Sequence, residues 1–240
     1  MIEIIAFDAD DTLWDNESLY SQAKGRFQEI LSNYASPEAI AQILDVNEVH
    51  NIDVYGYGIK SFALSMVETA IELSQGQIAG GEIQQVIEIA RGMLTAPVDL
   101  YEKVMETLEE LSMEYRLMLI TKGDRFEQER KIARSGLKQY FEVVEIVGDK
   151  SEASYQEMMA RYSLQPDQFL MVGNSMRSDI LPVLRLGGRA VYIPQENTWS
   201  HENVVAGSGD TGKHYVLEHL WQLPELLHTL EGERDETDLW

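Results

Sequence analysis

The sequence contains no cysteine among its 240 residues, so it can form no disulfide and carries no thiol chemistry. A chain without cysteine fits a reducing compartment. The N-terminus passes straight into an apolar strand pattern, without the basic segment and hydrophobic stretch of a signal peptide. No apolar run approaches the roughly 20 residues that are needed to cross a bilayer. We therefore expect a cytoplasmic protein.

Positive charge is also scarce, because 19 Lys and Arg residues stand against 41 Asp and Glu residues, which gives a net charge of −22. Nucleic acid and anionic membrane surfaces repel such a chain, so neither is expected as a partner. The five His residues lack the spacing of a zinc site. An anionic substrate would therefore need a metal ion or a few well-placed lysines. The sequence does not indicate an oligomeric state.

The remaining composition is ordinary for a globular protein, with 44% hydrophobic and 25% charged residues. The length allows one or two domains with a sizeable core. Short apolar strand patterns alternate with helical patterns along much of the chain. The strand patterns cover residues 2–7, 116–121, 142–147, 169–173, 190–193 and 215–217. This alternation predicts the α/β class, with a doubly wound, Rossmann-like parallel sheet covered by helices on both faces.

One long stretch departs from that alternation. Residues 15–96 show helical periodicity only, with a loop expected at 51–58. We therefore predict an all-helical domain at 15–96 that is inserted into an α/β core domain made of residues 1–14 and 97–240. Residues 195–213 are polar and rich in glycine, so a surface loop is expected there, and the acidic tail 231–240 is expected to fray.

The first strand pattern ends in a cluster of acidic residues. Ile4, Ile5 and Phe7 are followed by three carboxylates, at positions 8, 10 and 11, without a basic residue between them. Like charges held together cost free energy unless a cation neutralises them. This stretch alone leaves two interpretations open: a Mg²⁺-dependent phosphoryl-transfer site at the end of a strand, or a solvated acidic turn.

Other strand patterns also end in polar residues. Thr121 and Asn174 each follow an apolar run, and Lys150 lies just beyond the third strand pattern. Ligands of open parallel sheets bind beyond the carboxyl ends of the strands. The sequence therefore brings a hydroxyl, an amide and a cation to the same edge as the acidic cluster, and this favours the phosphoryl-transfer site.

These residues resemble the motifs of the haloacid dehalogenase-like superfamily along nearly the whole chain. Asp8-Ala-Asp10-Asp-Thr12 resembles its first motif, Asp-x-Asp-x-Thr, and Thr121 resembles the second. Lys150 is similar to the lone lysine of the third motif, and residues 172–180 resemble the fourth. The all-helical segment follows the first motif, where members of the superfamily carry a cap of the type called C1. The resemblance thus implies a phosphatase with a helical cap.

The resemblance implies a role for each catalytic residue. Asp8 would be the nucleophile and form an aspartyl-phosphate. Asp10 would protonate the leaving alcohol and then activate water, a role that needs a carboxyl able to hold a proton near neutral pH. Thr121 would bind the phosphoryl group, and Lys150 would neutralise the developing charge.

The resemblance also implies Mg²⁺ as the cofactor. The Asp8 side chain and the Asp10 backbone carbonyl would supply oxygen ligands. The fourth motif would supply another, and both Asn174 and Asp179 are candidates for it. Asn174 departs from the superfamily pattern, which usually has an aspartate at this place. Whether Asn174 or Asp179 binds the metal directly stays open here.

Residues next to these motifs are candidates for substrate contact. Lys122 follows Thr121 directly, while Trp14 and Asn16 lie where the cap would hinge. Lys131 belongs to a helix of alternating charges, and we expect it on a solvated face.

The function indicated by the sequence is a Mg²⁺-dependent phosphatase that hydrolyses a small phosphomonoester. A phosphomutase or another phosphotransferase is the alternative, because an aspartyl-phosphate can be passed to a sugar instead of water. A non-catalytic binding protein is a further alternative, suggested by Asn174. A dehalogenase is disfavoured, because it has no alcohol to protonate and lacks the aspartate found here as Asp10.

Overall fold

The computed structural model describes residues 2–195 and 214–237, and the side chains up to residue 230. Six parallel strands form one sheet in the order β3-β2-β1-β4-β5-β6. The strands are β1 (Ile4–Phe7), β2 (Arg116–Lys122), β3 (Val143–Val147), β4 (Phe169–Gly173), β5 (Arg189–Tyr192) and β6 (His214–Val216). The predicted doubly wound α/β sheet is therefore confirmed.

The central strand β1 is apolar on both sides because the sheet is covered on both faces. Ile5 and Phe7 belong to one buried cluster, and Ile4 and Ala6 belong to another. Successive side chains of a strand point to opposite faces, so a strand between two helical layers needs a continuous apolar run. Fully burying one isoleucine side chain stabilises the fold by about 1.5–3 kcal/mol.

Nine α-helices are present in the part of the chain that the structure describes. They are α1 (Glu17–Ile30), α2 (Pro37–Tyr55), α3 (Ile59–Leu73), α4 (Gly80–Thr95), α5 (Val104–Ser112), α6 (Arg125–Ser135), α7 (Glu152–Arg161), α8 (Leu181–Arg185) and α9 (Leu223–Thr237). A π-helical turn, Met176–Ile180, leads into α8. Within these described residues, no helix is both long and apolar enough to cross a membrane.

Helices α1 to α4 form a separate helical layer with a buried cluster of its own, which includes Phe27, Ile40, Phe62 and Val86. This agrees with the predicted helical stretch, whereas its limits at residues 15 and 96 stay a prediction. The expected loop at 51–58 was wrong in its first half, because α2 continues to Tyr55. In this part of α2 the Asn51 side chain donates to the Ser65 hydroxyl of α3 over 3.1 Å.

Strand register brings the motif residues to one edge of the sheet. Phe7 pairs with Leu119 on one side and with Val172 on the other. The backbone N–H of Asp8 then donates to the Val172 carbonyl over 2.9 Å. Thr121 lies near the end of β2, where it pairs with Ile146 of β3, and Asn174 directly follows the last residue of β4. The predicted loop at 195–213 falls almost wholly outside the described residues, as do the side chains of the predicted frayed tail.

Candidate active site

Asp8 lies at the end of β1 and is 7% exposed. Its Oδ1 accepts a hydrogen bond from the Lys150 ammonium, and its Oδ2 accepts one from the Thr12 hydroxyl over 3.0 Å. Burial raises the pKa of Asp8 to about 7, although Lys150 opposes this and Asp179 adds to it. The carboxylate is therefore held in place and only partly neutralised by its surroundings.

Lys150 is buried between two carboxylates, with 3% of its surface exposed. Besides Asp8, its ammonium contacts Asp179 Oδ1 at 2.7 Å. Burial alone would lower the pKa of Lys150, but the two carboxylates raise it above its usual value, so the lysine stays charged. Asp179 Oδ2 accepts from the backbone N–H of Ser175 over 3.0 Å. A side chain at Gly173 would overlap the Asp179 carboxylate, so this close approach requires glycine.

Asp10 is held by three donors. Its Oδ1 accepts from the Lys131 ammonium at 2.5 Å and from the Trp14 indole N–H at 2.6 Å, and its Oδ2 accepts from Gln128 Nε2 at 2.9 Å. Burial acts to raise the pKa of Asp10, but the charge of Lys131 and these hydrogen bonds outweigh it and lower the pKa. Asp10 is therefore an oriented carboxylate in this arrangement.

The predicted solvated position of Lys131 was wrong. The residue is 8% exposed, and its ammonium also donates to Asn16 Oδ1 over 2.8 Å. Gln128 and Lys131 are three residues apart on α6, so they share the helix face that meets the loop after β1. Sequence reasoning missed both residues. The signal was their helical spacing in a helix that begins directly after the carboxyl end of β2.

Thr121 is buried and accepts a hydrogen bond from Gln128 Nε2 over 2.8 Å. The same Nε2 also lies 2.9 Å from the Lys122 carbonyl oxygen, so its two N–H groups are shared among three acceptors. Because the Thr121 oxygen already accepts, its own O–H remains able to donate to a ligand. Gln128 thus ties the end of β2 to Asp10 and leaves a hydroxyl donor at the cavity that Asp8 also lines.

Asp11 serves the turn that leads into α1. Its backbone adopts a positive φ of 60°, and its Oδ1 accepts from the backbone N–H groups of Asn16 and Glu17, both over 2.9 Å. Burial raises the pKa of Asp11 to about 6. The acidic cluster of the sequence therefore divides into two carboxylates that face the site and one that shapes the backbone.

Two oxygens of the predicted metal set converge on one hydroxyl. Thr12 Oγ1 lies 3.0 Å from Asp8 Oδ2 and 3.3 Å from Asn174 Oδ1. Hard oxygen ligands of this kind, with one carboxylate and one amide, suit Mg²⁺. No group of three acidic, His or Cys side chains with metal-binding geometry is found in the described part of the chain. A metal here would therefore depend on the amide and on backbone oxygens as well as on Asp8.

A cavity of about 150 Å³ lies between the sheet edge and helices α1 to α3. The predicted catalytic, metal and substrate residues line it, with the exception of Trp14. On the sheet side it is lined by Asp8, Asp10, Thr121, Lys122, Lys150, Asn174 and Asp179, and on the helical side by Asn16, Glu17, Tyr20, Lys24, Glu48, Ser61 and Phe62.

The three predicted substrate residues next to the motifs differ in their placement. Lys122 extends over the Tyr57 ring, 4.4 Å from its centroid, and donates to the Ser178 hydroxyl over 3.1 Å. Asn16 lies in the cavity wall. Trp14 is only 1% exposed and does not line the cavity, because its ring fills the core behind Asp10. In this position Trp14 supports Asp10 and does not form the substrate contact that the sequence suggested.

The helical layer meets the sheet layer beside this cavity. The backbone N–H of Ile59 donates to Glu127 Oε2 over 2.9 Å, and Lys60 pairs with Asp124 at 2.7 Å. Gly58 has a φ of 129°, and an added Cβ would lie 3.0 Å from the Glu127 carboxylate. The start of α3 therefore rests directly on α6, the helix that carries Gln128 and Lys131.

Comparison with known proteins shows what the chain is similar to. A family model described as haloacid dehalogenase-like hydrolase matches residues 2–187. Human N-acylneuraminate-9-phosphatase is 26% identical over 242 residues, which cover 96% of this chain and 95% of that protein. Glyceraldehyde 3-phosphate phosphatase from Methanothermobacter thermautotrophicus is 25% identical over 243 residues, which cover 95% and 100% of the two chains.

Solved structures of similar proteins share the fold. A haloacid dehalogenase-like family hydrolase from Xanthomonas campestris is 35% identical, with a TM-score of 0.86, and the match covers 98% of this chain and 94% of that one. An L-2-haloacid dehalogenase from Xanthobacter autotrophicus is 16% identical, with a TM-score of 0.64 over 95% and 99% of the two chains. The second similarity concerns the fold alone.

Proposed function

Because the chain belongs to the haloacid dehalogenase-like hydrolases, we propose that it is a phosphatase that hydrolyses a small phosphomonoester at Asp8. One observation carries this proposal: a second carboxylate, Asp10, is oriented beside Asp8 by three donors. Replacement of a halide by a carboxylate needs no such group, whereas an alcohol leaving group needs a proton. The two phosphatases among the relatives support the same reaction.

In the proposed reaction, an Asp8 oxygen attacks phosphorus, and the bond between phosphorus and the alcohol oxygen breaks. Asp10 gives its proton to that oxygen. A water molecule then attacks the phosphorus of the aspartyl-phosphate, Asp10 takes a proton from the water, and phosphate leaves with Asp8 restored. The pKa of Asp10 is lowered by Lys131 in this structure. A bound anionic phosphate raises the pKa of Asp10 again, so substrate binding favours the protonated form of Asp10 that acts as the acid.

The other groups bind the transferring phosphoryl oxygens. The Thr121 hydroxyl can donate, because its oxygen is already used as the acceptor for Gln128. Lys122 lies at the cavity wall, and we propose that its ammonium turns from Ser178 to the phosphate. Lys150 holds Asp8 in position and offsets the negative charge that gathers around it.

Mg²⁺ would be held by Asp8, by the Asp10 backbone carbonyl and by Asn174. When bound, it reduces the repulsion between the nucleophile and an anionic phosphate and orients the two. We assign Asn174 and not Asp179 as the direct ligand. Asp179 is 1% exposed, and its two oxygens already accept from Lys150 and from a fixed backbone N–H of Ser175.

We propose further that helices α1 to α4 act as a cap domain over residues 15–96, closed through the contacts of Ile59 and Lys60 with α6. Motion of this cap would admit substrate and exclude water during the reaction. The lack of cysteine supports a cytoplasmic place for the enzyme.

The deciding experiment is the release of phosphate and of p-nitrophenol from p-nitrophenyl phosphate, measured with Mg²⁺, with EDTA, and with Mg²⁺ restored. We expect turnover with Mg²⁺, loss with EDTA, and recovery. Equal amounts of the two products, also in the presence of a sugar acceptor, would support hydrolysis. A shortfall of phosphate matched by a phosphorylated sugar would instead support the phosphomutase alternative, and no turnover of any phosphate ester would favour a binding protein.

Asn174→Asp is expected to strengthen Mg²⁺ binding about tenfold, because a charged oxygen replaces a neutral one at the metal. The measurement is a Mg²⁺ titration by calorimetry, together with the Mg²⁺ concentration that gives half-maximal activity. Asn33→Asp is the matched control, since it adds the same charge at an exposed position of the helical layer. An unchanged Mg²⁺ requirement in Asn174→Asp would show that Asn174 does not bind the metal.

Lys131→Met is expected to lower kcat about 100-fold with little change in KM, because Asp10 loses the cation that orients it. The loss is expected to be larger for an alkyl phosphate than for p-nitrophenyl phosphate, since a poor leaving group depends more on its acid. Lys131→Arg should recover part of kcat. Lys138→Met, at an exposed lysine, is the control. Equal losses for both substrates would indicate a structural role alone.

A further inference from the structure

Three helices of the helical layer contribute side chains to the wall of the cavity. Glu17, Tyr20 and Lys24 follow one another at spacings of three and four residues, so they share one face of α1. Glu48 of α2 and Ser61 of α3 complete this wall. The phosphoryl chemistry described above uses none of these five side chains, so the wall is available for the remainder of the substrate.

The polar groups of this wall are placed to receive a ligand. Lys24 Nζ lies 3.6 Å from Glu48 Oε2, an ion pair that faces the cavity. Ser61 is 5% exposed, and its hydroxyl has no hydrogen-bond partner among the described atoms. A buried hydroxyl without a hydrogen-bond partner lowers the stability of the ligand-free protein. A substrate hydroxyl that bonds Ser61 would remove this cost and gain affinity.

Aromatic surface lies between these polar groups. The rings of Tyr20 and Phe62 have centroids 5.0 Å apart, and the Lys24 ammonium lies 5.9 Å from the centre of Phe62. An apolar wall with a few placed polar groups is typical of sites for small organic ligands. The wall thus matches a group with both C–H surface and hydroxyls.

The charges of this wall further restrict which substrate group it can bind. The wall carries two carboxylates, Glu17 and Glu48, against the single ammonium of Lys24, which already contacts Glu48. Burial raises the pKa of Glu17 to about 7, so it is mostly ionised at pH 8. A second phosphate or a carboxylate on the substrate would meet an excess of negative charge.

We propose that Lys24, Glu48 and Ser61 form a subsite for the leaving alcohol, and that this subsite takes an uncharged, hydroxyl-bearing group such as a polyol or sugar and discriminates against a group with a second anionic charge. The placement of the leaving group rests on the proposed phosphatase function, whereas the binding preference can be measured without turnover.

The first test uses two ligands with the same three-carbon skeleton, glycerol 3-phosphate and 3-phosphoglycerate, in which a hydroxymethyl group of the first is replaced by a carboxylate in the second. Their binding to Asp8→Asn is measured by calorimetry at pH 8. We expect glycerol 3-phosphate to bind at least about tenfold more tightly. Equal or tighter binding of 3-phosphoglycerate would overturn the proposal.

The second test changes the wall. Glu48→Gln and Glu17→Gln are each expected to reduce the preference for glycerol 3-phosphate about tenfold, whereas Glu29→Gln, exposed on the same helix α1, should keep it. Ser61→Ala should lower kcat/KM about tenfold more for glycerol 3-phosphate than for p-nitrophenyl phosphate, which lacks the free hydroxyls. An unchanged preference in both glutamine variants would overturn the subsite.

The two proposals fail in different ways. If the wild-type protein releases no phosphate from any ester, the phosphatase function is rejected, and the binding ratio on Asp8→Asn still decides the subsite. If p-nitrophenyl phosphate is hydrolysed while the two three-carbon ligands bind equally, the phosphatase function stands and the subsite is rejected.

Discussion

Asp8→Asn is expected to lower phosphate release from p-nitrophenyl phosphate by at least about 10⁴-fold. The amide has the size of the carboxylate but cannot attack phosphorus, and it weakens the proposed Mg²⁺ site. Asp10, Thr121 and Lys150 stay in place, because each keeps partners other than Asp8. The measurement is the rate of phosphate release with saturating Mg²⁺, for purified protein of confirmed fold.

The stability of Asp8→Asn distinguishes a loss of catalysis from a loss of folded structure. Burial raises the pKa of Asp8 from 3.8 to about 7, so the folded protein holds more protons than the unfolded chain in that interval, and stability falls as the pH rises through it. Asp8→Asn resembles the protonated acid. We therefore expect an equal or higher melting temperature at pH 8, together with the loss of activity.

Asp15→Asn is the matched control, since Asp15 lies in the same loop and its Oδ1 accepts from the backbone N–H of Ser18, at the start of α1, over 3.2 Å. We expect it to keep activity. Full activity in Asp8→Asn would contradict the proposed nucleophile, and an inactive variant with a lowered melting temperature would leave catalysis and folding unseparated until Asp8→Glu is measured. Asp8→Glu keeps the charge and is expected to be inactive through misplacement of the oxygen.

The sheet could be predicted from the sequence because each strand is indicated by the residues of its own short segment. Strands that are buried on both faces are indicated by two continuous apolar runs, Ile4–Phe7 and Phe169–Gly173. Polar residues follow each run and indicate where the strand ends. Parallel pairing then forces the strand ends together without any knowledge of contacts. For this reason Asp8, Thr121 and Asn174 could be placed at one edge from sequence alone.

The support around Asp10 could not be predicted in this way. Lys131 and Trp14 contact Asp10 because of how α6 and the loop after β1 are turned against each other, and that rotation is fixed by packing. A charged helix face is interpreted as solvent-exposed when the residue that it pairs with lies more than 100 positions away in the sequence. The length of α2 was missed for a related reason, since buried Glu48 and Asn51 interrupt the apolar pattern of a packed helix.

The second large effect is expected for Lys150→Met, which should abolish activity and also destabilise the fold by about 3 kcal/mol or more. Lys150 is the buried cation between Asp8 and Asp179. Without it, two carboxylates face each other away from water, and removal of one partner from a buried ion pair leaves its charge uncompensated. The free energy of unfolding is measured by urea denaturation at pH 8, and Lys138→Met is the exposed control.

A double variant, Lys150→Met with Asp179→Asn, distinguishes the two roles of this lysine. Neutralising Asp179 removes the repulsion between the carboxylates, so a substantial part of the lost stability should return. Activity should not return, because the charge that gathers at Asp8 during phosphoryl transfer still has no cation beside it. If the double variant regained activity along with stability, Lys150 would be needed only to hold the fold together. If neither returned, Asp179 would carry a role of its own, through the Ser175 backbone that it orders.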